Sequence, residues 1–229
     1  MLIKDFMTPN PITVDESISV LDAAELMKRN RVRRFPVMQN NKLVGIITDR
    51  DVRSAGPSQV ITFDKAEREL LPDLYSLLNK IAIRDIMSRN VVVIGSEKTI
   101  ITASLTMIKH RITGLPVVDD QKNLVGIMTQ GDIFKVMVNF SAGHQGKTLF
   151  AFSLEDRPDI VKDVADVIRK HDGRIASLLS TFVSGDDKEI RQVFIRIMDD
   201  PPVDLDALKK ELVDKFGLLF MIEDDVTIP

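Results

Sequence analysis

The segment Leu43-Val44-Gly45-Ile46-Ile47-Thr48-Asp49-Arg50-Asp51 decides the fold, because it occurs twice. Its second copy, 81 positions on, is Leu124-Val125-Gly126-Ile127-Met128-Thr129-Gln130-Gly131-Asp132. Upstream the repeat continues at a spacing of 80. There Ile3, Asp5, Met7, Asn10, Ala23, Met27, Arg31, Pro36 and Val37 meet Ile83, Asp85, Met87, Asn90, Ala103, Met107, Arg111, Pro116 and Val117. Nine identities at one spacing and six at the other make fifteen over the 50 positions from 3 to 52, where unrelated segments match at a few. Such self-similarity outranks local propensity as a guide to architecture. Two copies imply a pseudo-symmetric pair rather than a solenoid.

Each copy reads strand, helix, strand, strand, helix. Ile12-Thr13-Val14 favours a strand, and Ile18, Leu21, Ala24 and Met27 follow at helical spacing. Phe35–Met38 and Leu43–Ile47 are apolar runs joined by Gln39-Asn40-Asn41, a hairpin turn. A helix opens at Thr48 or Asp49, both good N-caps. In the second copy Asp119-Asp120-Gln121 takes the turn. Between the copies, Leu70, Leu74, Leu77, Leu78 and Ile81 predict an amphipathic linking helix over Asp64–Lys80, after a break at Gly56-Pro57-Ser58.

Composition narrows the function. The 229 residues carry 31 Lys+Arg and 34 Asp+Glu, a net charge of −3, which argues against a general nucleic-acid binder. Hydrophobic residues at 44% and charged ones at 28% are ordinary globular usage. Apolar runs such as Val91–Ile94 and Leu218–Ile222 are far below the ~18 residues of a membrane span. With no basic, apolar leader, the chain reads as soluble and cytoplasmic. The absence of cysteine excludes disulfides, thiolate metal sites and a cysteine nucleophile.

The twice-repeated order Asp-x-Met, helix, Pro-Val, Gly-Ile-x-Thr-x-x-Asp resembles the CBS domain, duplicated as a Bateman pair over residues 1–139. The resemblance implies a pseudo-dimer with adenosine-containing ligands (AMP, ADP, ATP or S-adenosylmethionine) in clefts between its sheets. It also implies that the Thr and Asp of the last motif hold phosphate and ribose. The residues make that chemistry intelligible. Thr48 and Asp51 share the first turn of a helix, where a carboxylate can accept from both ribose hydroxyls. The hydroxyl and the free N–H groups of a helix start suit a phosphate.

The ligand site of the first copy is expected to comprise Thr13, Val14, Arg34, Phe35, Pro36, Thr48 and Asp51, with adenine against the apolar strand edges. That of the second copy comprises Val93, Ile94, Leu115, Pro116, Thr129 and Asp132. The plainer reading is that the threonines cap helices and the aspartates favour the helix dipole. In the basic run Lys28–Arg34, Lys28 and Arg29 suit a helix end, whereas Arg34 stands two residues before Pro36, where a guanidinium can grip phosphate. Its equivalent is Gly114, so the first cleft is expected to favour phosphorylated ligands over the second.

After a linker at 140–146, a second alternation begins. Thr148–Leu154 reads as a strand, and Pro158 opens a helix with Ile160, Val161, Val164, Val167 and Ile168 buried and Gly173 as its stop. Strands at Arg174–Val183 and Glu189–Met198 flank the turn Ser184–Asp187. A helix marked by Leu205, Leu208, Leu212 and Val213 and a strand Leu218–Ile222 complete a ferredoxin-like βαββαβ order. This stretch resembles an ACT domain, which implies pairing between domains and a small effector such as an amino acid near the first strand–helix turn. Asp156, Pro158 and Asp159 form that candidate turn, although Asp159 stands where many such domains have glycine.

The fold class is therefore α+β: a CBS domain at 1–60, a linking helix at 61–82, a second CBS domain at 83–139, and an ACT-like domain at 147–229. A CBS pair followed by an ACT domain resembles the bacterial acetoin-utilisation accessory proteins. The expected function is regulatory: an adenine nucleotide binds as a ligand rather than a required cofactor, and a likeness to that family points to control of a metabolic partner. A homodimer is expected, with no metal, nucleic acid or membrane. A ligand-free oligomerisation module is the alternative. An enzyme is disfavoured, since His110, His144 and His171 lie apart from any paired carboxylate motif.

Overall fold

The computed structural model describes residues 1–55, 76, 78–142, 146–184 and 189–223. Most of the expected linking helix, the break at Gly56-Pro57-Ser58, His144 and most of the Ser184–Asp187 turn lie outside them. The chain forms two compact units, Met1–Ile133 and Phe134–Pro229.

In the first unit, strands β1 (Thr8–Pro9) and β2 (Val14–Asp15) precede helix α1 (Val20–Asn30), hairpin β3 (Arg34–Gln39) and β4 (Lys42–Thr48), and helix α2 (Asp49–Ser54). The second copy gives β5 (Ile94–Gly95), α3 (Ile100–His110), β6 (Gly114–Val118), β7 (Leu124–Thr129) and α4 (Gln130–Phe140). Local chemistry repeats as well. Ser19 and Thr99 cap α1 and α3 by accepting from Asp22 and Thr102 N–H. Arg31 and Arg111 close the same helices in the left-handed region, at φ 53° and 54°. Asn40 and Asn41 both have positive φ, the twist a two-residue hairpin needs.

The copies are interleaved at their N-terminal ends. β1 does not join its own hairpin; it pairs with β7, Thr8 opposite Ile127, in the sheet β1-β7-β6-β5. The equivalent Ser88 bridges Ile46, beside the sheet β2-β3-β4 of the first copy. Ile3 N–H donates to Lys98 C=O at 2.8 Å, and Ile83 N–H to Ile18 C=O at 2.9 Å. Ile83 and Met87 consequently fill the first copy's core with Phe35, Val37 and Ile47. Met87 packs on Gly45, and Met7 on Gly126, so closely that a Cβ on either glycine would overlap the sulfur. The recurring Asp-x-Met segment is thus the strap by which each copy closes the other.

In the second unit, β8 (Thr148–Glu155), α5 (Ile160–Lys170), β9 (Ile175–Ser184), β10 (Glu189–Ile197), α6 (Leu205–Lys215) and β11 (Leu218–Glu223) form an antiparallel sheet in the order β11-β8-β10-β9. This is the βαββαβ order read from the sequence. Phe150, Phe152, Val193 and Ile195 of the sheet meet Val164, Ile168, Leu208 and Leu212 of the helices in one core. Two local expectations change. Pro158 lies two residues ahead of α5 rather than in its first turn. The left-handed residue after α5 is Asp172, at φ 62°, not Gly173. Gly173 is needed for space instead, because a Cβ there would crowd the Ile168 side chain and carbonyl.

Candidate functional site

The Thr-x-x-Asp pairs are built alike in both copies. Thr48 N–H and Oγ1 donate to Asp51 Oδ2 at 2.8 and 2.6 Å, and Asp51 N–H donates back to Thr48 Oγ1 at 3.3 Å. Thr129 and Asp132 repeat this at 2.9, 2.6 and 3.3 Å. At α2 the arrangement is a full capping box. Capping and ligand binding are therefore compatible, since the cap uses Oδ2 and a ribose diol needs only Oδ1. One expectation changes: the single threonine proton is committed to the carboxylate, so the hydroxyl is not the phosphate donor.

Thr48 and Asp51 open into a cleft of ≈ 820 Å³. That volume lies within the usual range for small-molecule sites. The expected grouping is revised here. The apolar wall facing Thr48 and Asp51 comes from the second copy, through Val91, Val92, Ile112 and Pro116, with Ile46 from the first. Thr13, Val14, Phe35 and Pro36 do not line it. Val14 and Phe35 are core residues, at 6% and 0% exposure, and offer a ligand no side-chain surface. Ile94 and Leu115 are likewise buried, while Val93 is exposed. The interleaving explains the exchange: Ser88 sits beside Ile46 on the first copy's sheet, so Asn90–Val92 just after it reach the first copy's cleft. Thr129 and Asp132 stand at the equivalent place in the other copy.

The cleft is basic. Arg33, Arg34, Arg50, Arg53 and Arg111 line it against Asp49 and Asp51, and Asp49 pairs with Arg53. An anionic ligand is favoured by this excess. Arg34 does not stay with its own copy. Its guanidinium donates to Thr113 Oγ1 at 2.8 Å and covers the Cα of Gly114. Burial, with Arg33 beside it, holds Arg34 below its ordinary pKa, and Asp132 opposes that shift. The expectation that Arg34 serves the first copy alone is accordingly replaced by a residue that reaches both. The sequence contained one signal for the missed wall: Arg31 and Arg111, and Asn10 and Asn90, are repeat identities on segments next to strand ends.

A family model for the CBS domain matches residues 3–58 and 83–139. An uncharacterized protein of Methanocaldococcus jannaschii, MJ1426, is 33% identical over 159 residues, spanning 60% of this chain and 92% of its own length. The chain belongs to the CBS-domain family. The CBS domain-containing protein YhcV of Bacillus subtilis is 33% identical over 142 residues, 62% of this chain and 89% of its own. The solved CBS domain pair of protein MJ0100, in complex with 5′-methylthioadenosine and S-adenosyl-L-methionine, has TM-score 0.48 and 31% identity over 60% of this chain and 95% of that one. The family match ends at residue 139, with the CBS pair, and does not extend over the βαββαβ unit.

In that unit, the strand–helix turn lines a hollow of ≈ 520 Å³ together with Arg191. Asp156 Oδ1 accepts from Arg191 Nε at 2.7 Å, and the guanidinium lies 4.2 Å from the centre of the Phe182 ring. Asp159 adopts φ 65°. It thus takes the left-handed conformation that glycine would provide, which Asp tolerates better than most residues. Its side chain makes no cap to α5. Asp156, Pro158 and Asp159 line this hollow together, and Arg191 joins them from β10. Among the described residues no cluster of three His, Asp or Glu side chains is placed to hold a metal ion, and no helix is long and apolar enough to cross a membrane.

Proposed function

We propose that this protein is a regulatory binding protein whose CBS pair takes an adenosine-containing ligand: AMP, ADP, ATP or S-adenosylmethionine. The observation that carries the reading is the Thr48–Asp51 cleft, with a half-buried diol acceptor, an apolar slot and an arginine-rich rim in one cavity. Each feature matches one part of such a molecule: ribose, adenine and phosphate or carboxylate. Thr129 and Asp132 offer a second position of the same chemistry. The output is read as a change of contact, within a homodimer or with a metabolic partner of the acetoin-utilisation kind.

The βαββαβ unit, 147–229, is read as an ACT-like domain that follows CBS domains at 1–60 and 83–139 joined through 61–82. Its hollow at Asp156, Pro158, Asp159 and Arg191 suits an amino-acid effector, whose carboxylate and ammonium would meet the arginine and the aspartates. Mass spectrometry of small molecules released from the purified protein tests the reading. An adenosine-containing compound at stoichiometric level is the expected result. A protein that carries none, and whose melting temperature does not move with AMP, ATP, S-adenosylmethionine or any amino acid, is a ligand-free oligomerisation module instead.

A further inference from the structure

The two Thr-x-x-Asp positions share one guanidinium. We propose that Arg34 is a single phosphate anchor serving both, so that a phosphorylated adenosine ligand in one position weakens binding of a second in the other. The inference rests on the nucleotide reading above and specifies its regulation.

Strand register supplies the first part of the argument. Arg34 pairs with Thr48 across β3 and β4, and Gly114 pairs with Thr129 across β6 and β7. Because the Arg34 guanidinium lies over Gly114, the side chain reaches from beside one threonine to beside the other. It also lines the Thr48–Asp51 cleft. The repeat supplies the second part, since glycine at 114 means that no second guanidinium answers the first. A side chain there would occupy the space that Arg34 fills.

The third part is what remains to bind phosphate. Both threonine protons are committed to their aspartates at 2.6 Å. Arg53 is engaged by Asp49, and Arg111 has an equivalent, Arg31, in the other copy. Arg33 and Arg50 also line the Thr48–Asp51 cleft, where the other copy has Thr113 and Gly131, but the guanidinium that lies over Gly114 is that of Arg34. The hydrogen bond that Arg34 makes goes to a neutral hydroxyl, Thr113 Oγ1, a weaker acceptor than a phosphate oxygen, with the Asp132 carboxylate near enough to favour its charge. The first phosphate to arrive recruits it, and the second meets a position without it. This is a coupling free energy between sites, reciprocal by necessity.

Calorimetry on the full chain at low salt, with adenosine and with AMP, tests the proposal. Adenosine is expected to bind the wild type at two positions of similar affinity, because it makes no demand on Arg34. AMP is expected to bind in two steps at least tenfold apart, the size of one charge-assisted bond. In Arg34→Ala the tight AMP step weakens about tenfold and the gap between the two steps narrows, with Arg33 and Arg50 left beside the Thr48–Asp51 position. Two equal AMP steps in the wild type, or an unchanged gap in Arg34→Ala, overturn the shared anchor while the adenosine arm leaves the nucleotide reading standing. If adenosine and AMP both give no binding heat and no melting shift, both readings fall.

Discussion

The Arg34 guanidinium lies directly over the Cα of Gly114, its own equivalent in the repeat. Two positions that a shared ancestry would make identical are instead complementary, one supplying a side chain and the other the room for it. The difference sits where the starts of β3 and β6 approach each other, beside Thr48 and Thr129. Arg33, Asp49 and Arg50, which meet Thr113, Gln130 and Gly131, break the symmetry of the candidate site further.

Gly114→Ala places a methyl group where the guanidinium now lies, so Arg34 must swing away from Thr113. AMP affinity is expected to fall about tenfold, the loss of one charge-assisted contact. The double variant with Arg34→Ala should be no weaker than Arg34→Ala alone, because both remove the same interaction. Calorimetric AMP titrations of the four proteins check this. Additive losses would separate Gly114 from Arg34.

Asp51→Ala removes a helix cap and a ligand acceptor together. Loss of the capping box should lower stability by about 1 kcal/mol, read by urea unfolding of the first unit. Adenosine affinity should drop about tenfold or more, because a hydrogen bond to a charged acceptor contributes about 1.5–3 kcal/mol. Asp51→Asn keeps the shape, and should recover more of the stability than of the affinity.

The interleaved straps predict long-range damage from a short-range change. Gly126→Val drives a side chain into Met7 and overpacks the contact, at a cost of about 1–3 kcal/mol. β1 should then detach from β7. Faster amide exchange at Ile127, and at Asn10 whose N–H donates to Val125 C=O at 3.1 Å, would report this, although the strap lies more than a hundred positions away from Gly126 in the sequence. Gly45→Val should do the same to the Ile46–Ser88 bridge through Met87.

Acid should weaken the second unit through Glu211. Bonds from Lys215, His171 and Lys170 hold its carboxyl at about 2, below the ordinary 4.5. A depressed carboxylate adds stability above the unfolded value and loses it as protons are taken up. The contribution is therefore present above about pH 4.5 and disappears as pH falls towards 2. Glu211→Gln should flatten that acid limb in a melting-temperature profile taken across this range. An identical profile in wild type and variant would show that the cluster adds no stability.

The sequence made the repeated elements legible, because identity at fixed spacing needs no knowledge of contacts. Thr48 and Asp51 came with it, since a cap and a site three residues apart are local features. The ferredoxin-like order of the second unit was legible for the same reason: its strands and helices alternate with clear periods. The exchange of Asp-x-Met straps was not. Ile3 and Ile83 carry no local sign of which hairpin they will close, because pairing between residues as far apart as Thr8 and Ile127 leaves no period. Arg34 lines the cleft with Thr48 and Asp51 as its sequence position suggests, but its further reach to Thr113 and Gly114 was not legible, since the direction of a long side chain depends on the space that Gly114 leaves. Val14 and Phe35 were read as ligand walls because an apolar strand residue looks the same on either face. The pleat turned them into the core.

Binding of an adenosine-containing ligand in the Thr48–Asp51 cleft should depend on the Asp51 carboxylate. The most direct measurement is the calorimetric affinity of ligand-stripped wild type and Asp51→Ala for AMP under the same buffer conditions. Saturable binding to the wild type is expected, with at least a tenfold loss at the Asp51 position in the variant. Equal affinities in the two proteins, or no binding by a folded wild type, would contradict it.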